Sequence, residues 1–88
     1  MLVSKLIIKN KYGLHARPAA LFVQTAAKYD ADVTISKDGL EVNGKSIMGV
    51  MMLAAEKGSE IELKVNGKEE KKLMQALTDL LEGKFDEE

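Results

Sequence analysis

Asp32-Val33-Thr34-Ile35-Ser36-Lys37-Asp38-Gly39-Leu40-Glu41-Val42 reads as two short strands folded back on each other. Val33 and Ile35 alternate with Asp32 and Thr34, and Leu40 and Val42 resume the alternation. Between the strands, Asp38-Gly39 supplies a two-residue turn that tolerates positive φ. A side-chain period of two turns one face of each strand to a core and the other to water. A hairpin pairs its strands antiparallel, so the sheet built around it is antiparallel or mixed.

Upstream, the period changes. Ala19, Phe22, Val23 and Ala26 fall at i, i+3, i+4 and i+7, which predicts a helix with one buried stripe starting near His15. Pro18 agrees with that start, because a proline in the first turn forgoes only an amide that no earlier carbonyl would accept. Before it, Leu6 and Ile8 alternate with Lys5, Ile7 and Lys9 as a first strand, broken by Asn10-Lys11-Tyr12-Gly13. Downstream, Ser46 stands as an N-cap before Ile47-Met48-Gly49-Val50-Met51-Met52-Leu53, with Gly58 as the stop of a short helix. Ile61, Leu63 and Val65 alternate with Glu60, Glu62 and Lys64 as a last strand, ended by Asn66-Gly67. Leu73, Leu77, Leu80 and Leu81 then recur at helical spacing. The clustered Lys and Glu after Asn66 are expected to solvate a helix face, and the tail from Asp86 to Glu88 to fray. The order β-α-β-β-α-β-α, with one apolar face per strand, implies an open-faced two-layer α/β sandwich with every helix on one side of the sheet.

Composition narrows the function classes. Eighty-eight residues, 45% hydrophobic and 31% charged, suit one soluble globular domain. Thirteen Lys and Arg against 14 Asp and Glu leave a net charge of -1, so no bulk field draws in a phosphate backbone, and 5% aromatics offer few platforms for stacking bases. Nucleic acid is disfavoured. There is no cysteine and one histidine, too few ligands for a zinc site. The start Met1-Leu2-Val3-Ser4-Lys5 lacks a basic, then apolar, leader pattern, so a cytoplasmic location is the expectation. The longest apolar run, Ile47 to Ala55, is about half of the roughly 20 residues a membrane span needs.

Chemistry concentrates at Gly13-Leu14-His15-Ala16-Arg17-Pro18. A helix start exposes unpaired amides and the positive end of the dipole, so an anion is welcome there and a charged imidazolium is not. That leaves a ring lone pair available for nucleophilic attack. Arg17 adds a charged fork able to hold phosphate oxygens. The plain structural alternative is a surface capping histidine beside a solvated arginine, and spacing by itself does not separate the two. No nucleophile elbow accompanies His15 to suggest a hydrolytic triad, and the dispersed glycines form no nucleotide-binding loop. Ser46 reads as an N-cap whose hydroxyl could also take a phosphate with little structural damage. Ile47, Met48, Met51 and Met52 are too apolar for so short a helix to bury on every face. Ile47 or Val50 is expected in the core and Met48 and Met51 at the surface, where flexible thioethers suit partners of different shape.

At these residues the chain resembles the histidine-containing phosphocarrier, or HPr, family of the bacterial phosphoenolpyruvate-dependent sugar phosphotransferase system. Gly13-Leu14-His15-Ala16-Arg17-Pro18-Ala19 is similar to the family's active-site motif, and Lys45-Ser46-Ile47-Met48-Gly49-Val50-Met51 to its regulatory-serine segment. The two lie at the family's separation, and the element order matches its fold over essentially the whole chain. The resemblance implies a single HPr domain over residues 1–88, with a four-stranded antiparallel sheet and three helices on one face. It implies a stoichiometric carrier without cofactor or metal, not a turnover enzyme, and a monomer. Enzyme I would pass a phosphoryl group to Nδ1 of His15, steadied by Arg17 and the amides of Ala16 and Arg17, and enzyme IIA domains would receive it. Ser46 would be the target of HPr kinase/phosphorylase, as in the Gram-positive-type branch. Ile47, Met48 and Met51 would form the partner-binding surface, and phospho-Ser46 would engage a catabolite-control transcription regulator. The competing reading is a purely regulatory interaction protein that acts through phospho-Ser46.

Overall fold

The computed structural model describes residues 1–83 and 85. The expected fray of Asp86 to Glu88 therefore lies outside the described residues. Seven elements follow in the expected order: β1 (Leu2–Ile7), α1 (Ala16–Ala26), β2 (Asp32–Lys37), β3 (Leu40–Asn43), α2 (Ile47–Met52), β4 (Glu60–Asn66) and α3 (Glu70–Glu82). The hairpin forms with Thr34 opposite Asn43 and Lys37 opposite Leu40, and Asp38 and Gly39 both take positive φ, 51° and 84°. The spatial order is β1-β4-β2-β3, every pairing antiparallel, so the sheet is not mixed.

β4 lies between β1 and β2, and its alternation explains why. Ile61, Leu63 and Val65 point inward and are fully buried, while Glu60, Glu62 and Lys64 face the open side. Val33 and Ile35 continue the covered face on β2. Over them pack Ala19, Phe22 and Ala26 of α1, Val50 of α2, and Leu73, Leu77 and Leu81 of α3. Each large side chain buried here contributes about 1.5–3 kcal/mol relative to exposure. The result is an open-faced sandwich with three helices over one face of the sheet.

β1 departs from its expected form. It begins earlier, at Leu2, and ends at Ile7, so the buried Ile8 lies just beyond the strand. Its outer face is not polar, because Val3 and Ile7 are exposed there. Leu80 of α3 is only partly buried, whereas Phe85, which the helical periodicity did not reach, is in the core.

The charged cluster after Asn66 does more than meet water. The Glu69 carboxylate accepts the Asp30 N–H at 2.8 Å, and that of Glu70 accepts the Gly67 N–H at 3.1 Å. These amides are the main reason both carboxyls sit below their ordinary 4.5. Lys72 and Lys68 add to the effect at Glu69, and the Met1 ammonium, 3.2 Å away, adds to it at Glu70. A lowered folded-state value favours the folded protein fully above the ordinary value, and the gain disappears as pH falls through the folded-state value. Urea denaturation of a Glu69→Gln, Glu70→Gln variant is thus expected to show a smaller loss of stability than the wild type between about pH 5 and pH 2. Identical acid sensitivity in the two proteins would remove these carboxylates from the account.

Candidate functional site

The segment from β1 to α1 is folded by two residues whose roles the periodic pattern does not reveal. Asn10 is wholly buried, and its Nδ2 donates to the Gly13 carbonyl at 2.6 Å while the Gly13 N–H donates to the Asn10 carbonyl at 3.2 Å. Asn10 Oδ1 is buried without a hydrogen-bond partner among the described residues. Sequence reasoning passed over Asn10 as a strand break. Its one local signal was residue type: Asn side chains fold turns by hydrogen-bonding to nearby backbone groups. Gly13 has φ +71°, and a Cβ there would lie 2.2 Å from the Ala55 carbonyl oxygen. Only glycine allows that approach. The next residue, Leu14, is buried and its N–H donates to the same Ala55 carbonyl at 2.8 Å.

With Gly13 and Leu14 so anchored, His15 emerges as the N-cap of α1. Its backbone is extended (φ -76°, ψ -172°), its side chain makes no cap hydrogen bond, and the residue is exposed. The first helical bond runs from the Ala19 N–H to the His15 carbonyl at 2.9 Å. Ala16 and Arg17 therefore carry the amides that precede any helical acceptor, and Pro18 contributes none. The helix begins at Ala16, one residue past the expected start, and Arg17 is exposed beside it. The Tyr12 ring meets the imidazole edge to face, with centroids 6.0 Å apart and planes at 76°, and the Lys11 ammonium lies 5.3 Å from the Tyr12 centroid.

Ser46 caps α2 as expected. Its Oγ accepts the Gly49 N–H at 3.1 Å and its carbonyl accepts the Val50 N–H at 3.0 Å. Of the two candidates for the core, Val50 is the buried one (0% exposed) and Ile47 the exposed one (42%). Met48 and Met51 are exposed at 75% and 40%, and Met52 joins them at 65%. Gly58 does not stop this helix. It ends at Met52 with Leu53 as C-cap, Ala54 turns the chain with φ +49°, and Gly58 (φ +91°) serves the later turn into β4. Beyond the helix end, Leu53 and Ala55 are both in the core, and the Ala55 carbonyl accepts the Leu14 N–H.

The two motifs meet in space. Tyr12, Leu14 and His15 share a cleft of about 240 Å³ with Met51 of α2 and with Ala54, Ala55 and Glu56. A larger open hollow of about 800 Å³, lined by Asp30 and residues 67–72 at the start of α3, includes none of the candidate residues. No helix among the described residues is long and apolar enough to cross a membrane.

A small open-faced sandwich thus presents its one histidine on the surface at a helix start, beside an open cleft. The family pattern described as the HPr component phosphorylation site of the phosphotransferase system matches residues 3–83. The chain is 50% identical over 88 residues to a phosphocarrier protein HPr of Xylella fastidiosa, covering all of this chain and 99% of that protein. It is 52% identical over 87 residues to a phosphocarrier protein HPr of Neisseria meningitidis, covering 99% and 98%. Among solved structures, HPr-C-His from Thermoanaerobacter tengcongensis superposes with a TM-score of 0.96 at 50% identity, covering 100% of this chain and 99% of that one. The chain belongs to the HPr family: it is a phosphocarrier of the phosphotransferase system that serves sugar transport, with Enzyme I and enzyme IIA domains as its partners.

Proposed function

We propose that His15 is the residue that carries the phosphoryl group. Its Nδ1 lone pair attacks the phosphorus held by Enzyme I, the bond to Enzyme I breaks as the new N–P bond forms, and the reverse exchange delivers the group to an enzyme IIA domain. The observation that carries this reading is the exposed N-cap position of His15, next to the leading amides of Ala16 and Arg17. Those amides and the Arg17 guanidinium face the charge that the transferred group brings, and an open cradle holds it loosely enough to pass on. The carrier works as a single monomeric domain in the cytoplasm.

Ser46 is the regulatory site in this reading, modified by an ATP-dependent HPr kinase/phosphorylase and, when phosphorylated, read by a catabolite-control transcription regulator. Support comes from its N-cap geometry, where added negative charge meets the positive end of a helix, and from its position directly before Ile47, Met48 and Met51. A phosphate at Ser46 opposes docking of Enzyme I on that apolar face through desolvation and repulsion.

Incubation with Enzyme I and phosphoenolpyruvate is expected to give an acid-labile, base-stable phosphate in stoichiometric amount, and incubation with ATP and the kinase an acid-stable one lost in Ser46→Ala. Acid-stable label alone would leave a purely regulatory protein. Met48→Asp is expected to weaken Enzyme I docking at least about 10-fold while moving stability by less than about 0.5 kcal/mol, since the side chain is exposed in the free protein. Titration calorimetry and urea melts measure the two, and wild-type affinity for Enzyme I would take Met48 out of the interface.

A further inference from the structure

We infer that Tyr12 is a positioning residue for phosphoryl transfer, holding the His15 imidazole in one orientation; the inference rests on the reading of His15 as the acceptor. An exposed histidine at the end of a loop samples several rotamers, and an orientation that turns Nδ1 away from the helix start is unproductive. In this chain the imidazole has a neighbour that limits it. The Tyr12 ring packs against it edge to face at 6.0 Å and 76°, within the range where aromatic pairs attract beyond their buried area.

Tyr12 is itself held. Its backbone lies in the turn that Asn10 and Gly13 close with two hydrogen bonds, and the Lys11 ammonium sits 5.3 Å from its ring centroid, close enough for a cation–π contact. The ring is not needed by the core, since Tyr12 is 66% exposed. A large aromatic ring left at the surface, set edge to face against the one imidazole of the chain and flanked by the Lys11 ammonium, is placed to act on that imidazole. The face of the cleft formed by Leu14 and Ala55 is rigid, because both are buried and joined by a backbone bond of 2.8 Å. Tyr12 therefore supplies a wall on the side of the imidazole itself, and its loss widens the range of orientations open to the ring.

The expected effect follows from the size of the contact. An aromatic pair of this geometry changes an equilibrium by about 2- to 10-fold, and rotamer restriction acts on the maximal rate, not on docking. In Tyr12→Ala, the ring-current displacement of the His15 imidazole protons should vanish, and the three-bond couplings across χ1 should average over rotamers. Its maximal rate of phosphoryl acceptance from Enzyme I and phosphoenolpyruvate should fall about 2- to 10-fold at unchanged KM for Enzyme I. Tyr12→Phe should restore all of these, since the ring and not the hydroxyl makes the contact. A raised KM at unchanged maximal rate in Tyr12→Ala would make Tyr12 a docking contact and overturn the inference, as would equal rates in the two proteins. Absence of acid-labile phosphate on the wild type would instead sink the acceptor reading itself, and the role of Tyr12 in transfer with it.

Discussion

His15→Ala is expected to abolish the acid-labile label completely while leaving the fold in place. The chain has one histidine, so no second imidazole can form the N–P bond. Stability should fall by no more than about 1.5 kcal/mol, the size of the lost edge-to-face contact with Tyr12, because the residue is exposed and its side chain makes no cap hydrogen bond to the helix it precedes. Radiolabelling from phosphoenolpyruvate and a urea melt on the same preparation separate chemistry from folding. Arg17→Glu belongs to the same experiment. A charge-assisted hydrogen bond contributes about 1.5–3 kcal/mol, so reversing the charge beside the incoming phosphoryl group should slow acceptance roughly 10- to 100-fold at an unchanged melting midpoint. Label retained in His15→Ala would end the carrier reading of that residue; an unchanged rate in Arg17→Glu would end the role assigned to the guanidinium.

Gly13→Ala is the substitution expected to damage the fold most for the smallest change in chemistry. At φ +71° an L-residue is strained by about 1–2 kcal/mol, and its Cβ would lie 2.2 Å from the Ala55 carbonyl oxygen and 2.8 Å from Glu56 Cα. Backbone cannot swing aside as a side-chain tip can, so forcing the chains apart adds about 1–3 kcal/mol, for a total of about 2–5 kcal/mol. The separation also breaks the Leu14 N–H to Ala55 carbonyl bond that sets where His15 emerges, so phosphoryl acceptance should fall along with stability. Gly39→Ala is the control. Its φ is +84°, but nothing lies within 4 Å of the added carbon, so only the conformational strain of about 1–2 kcal/mol applies. Chemical denaturation of the pair checks the argument, and equal midpoints would show that the approach to Ala55 carries no weight.

The legible part of the molecule was the part governed by period. The alternation of Val33, Ile35, Leu40 and Val42 around Asp38-Gly39 marks a hairpin that the structure reproduces, and the stripe from Ala19 to Ala26 marks α1. Ser46 was recognisable as a cap because the rule for a cap is local: a hydroxyl before a helix, three residues from the amide it accepts. Motif spacing was legible in the same sense. His15, Ala16 and Arg17 had to share a helix start, and a short apolar helix had to leave methionines in water.

Where prediction and structure part, the deciding contact joins residues distant in sequence. The end of α2 was misjudged at Gly58 because the requirement that Leu53 and Ala55 turn into the core, with Ala55 meeting Gly13 and Leu14, is not written in the helix's own residues. Glu69 looked like a solvated charge because its partner, the Asp30 amide, lies 39 residues earlier. The sequence by itself determined the elements, their order, the faces that are apolar, and which side chains have the chemistry to carry a phosphoryl group, since all of these depend on residue type and near neighbours. The tertiary structure alone decided which of Ile47 and Val50 is buried, how Asn10 and Gly13 aim His15, and that Tyr12 and Met51 meet at one cleft. Those outcomes come from close packing between separate segments, where fractions of an ångström settle which atoms fit.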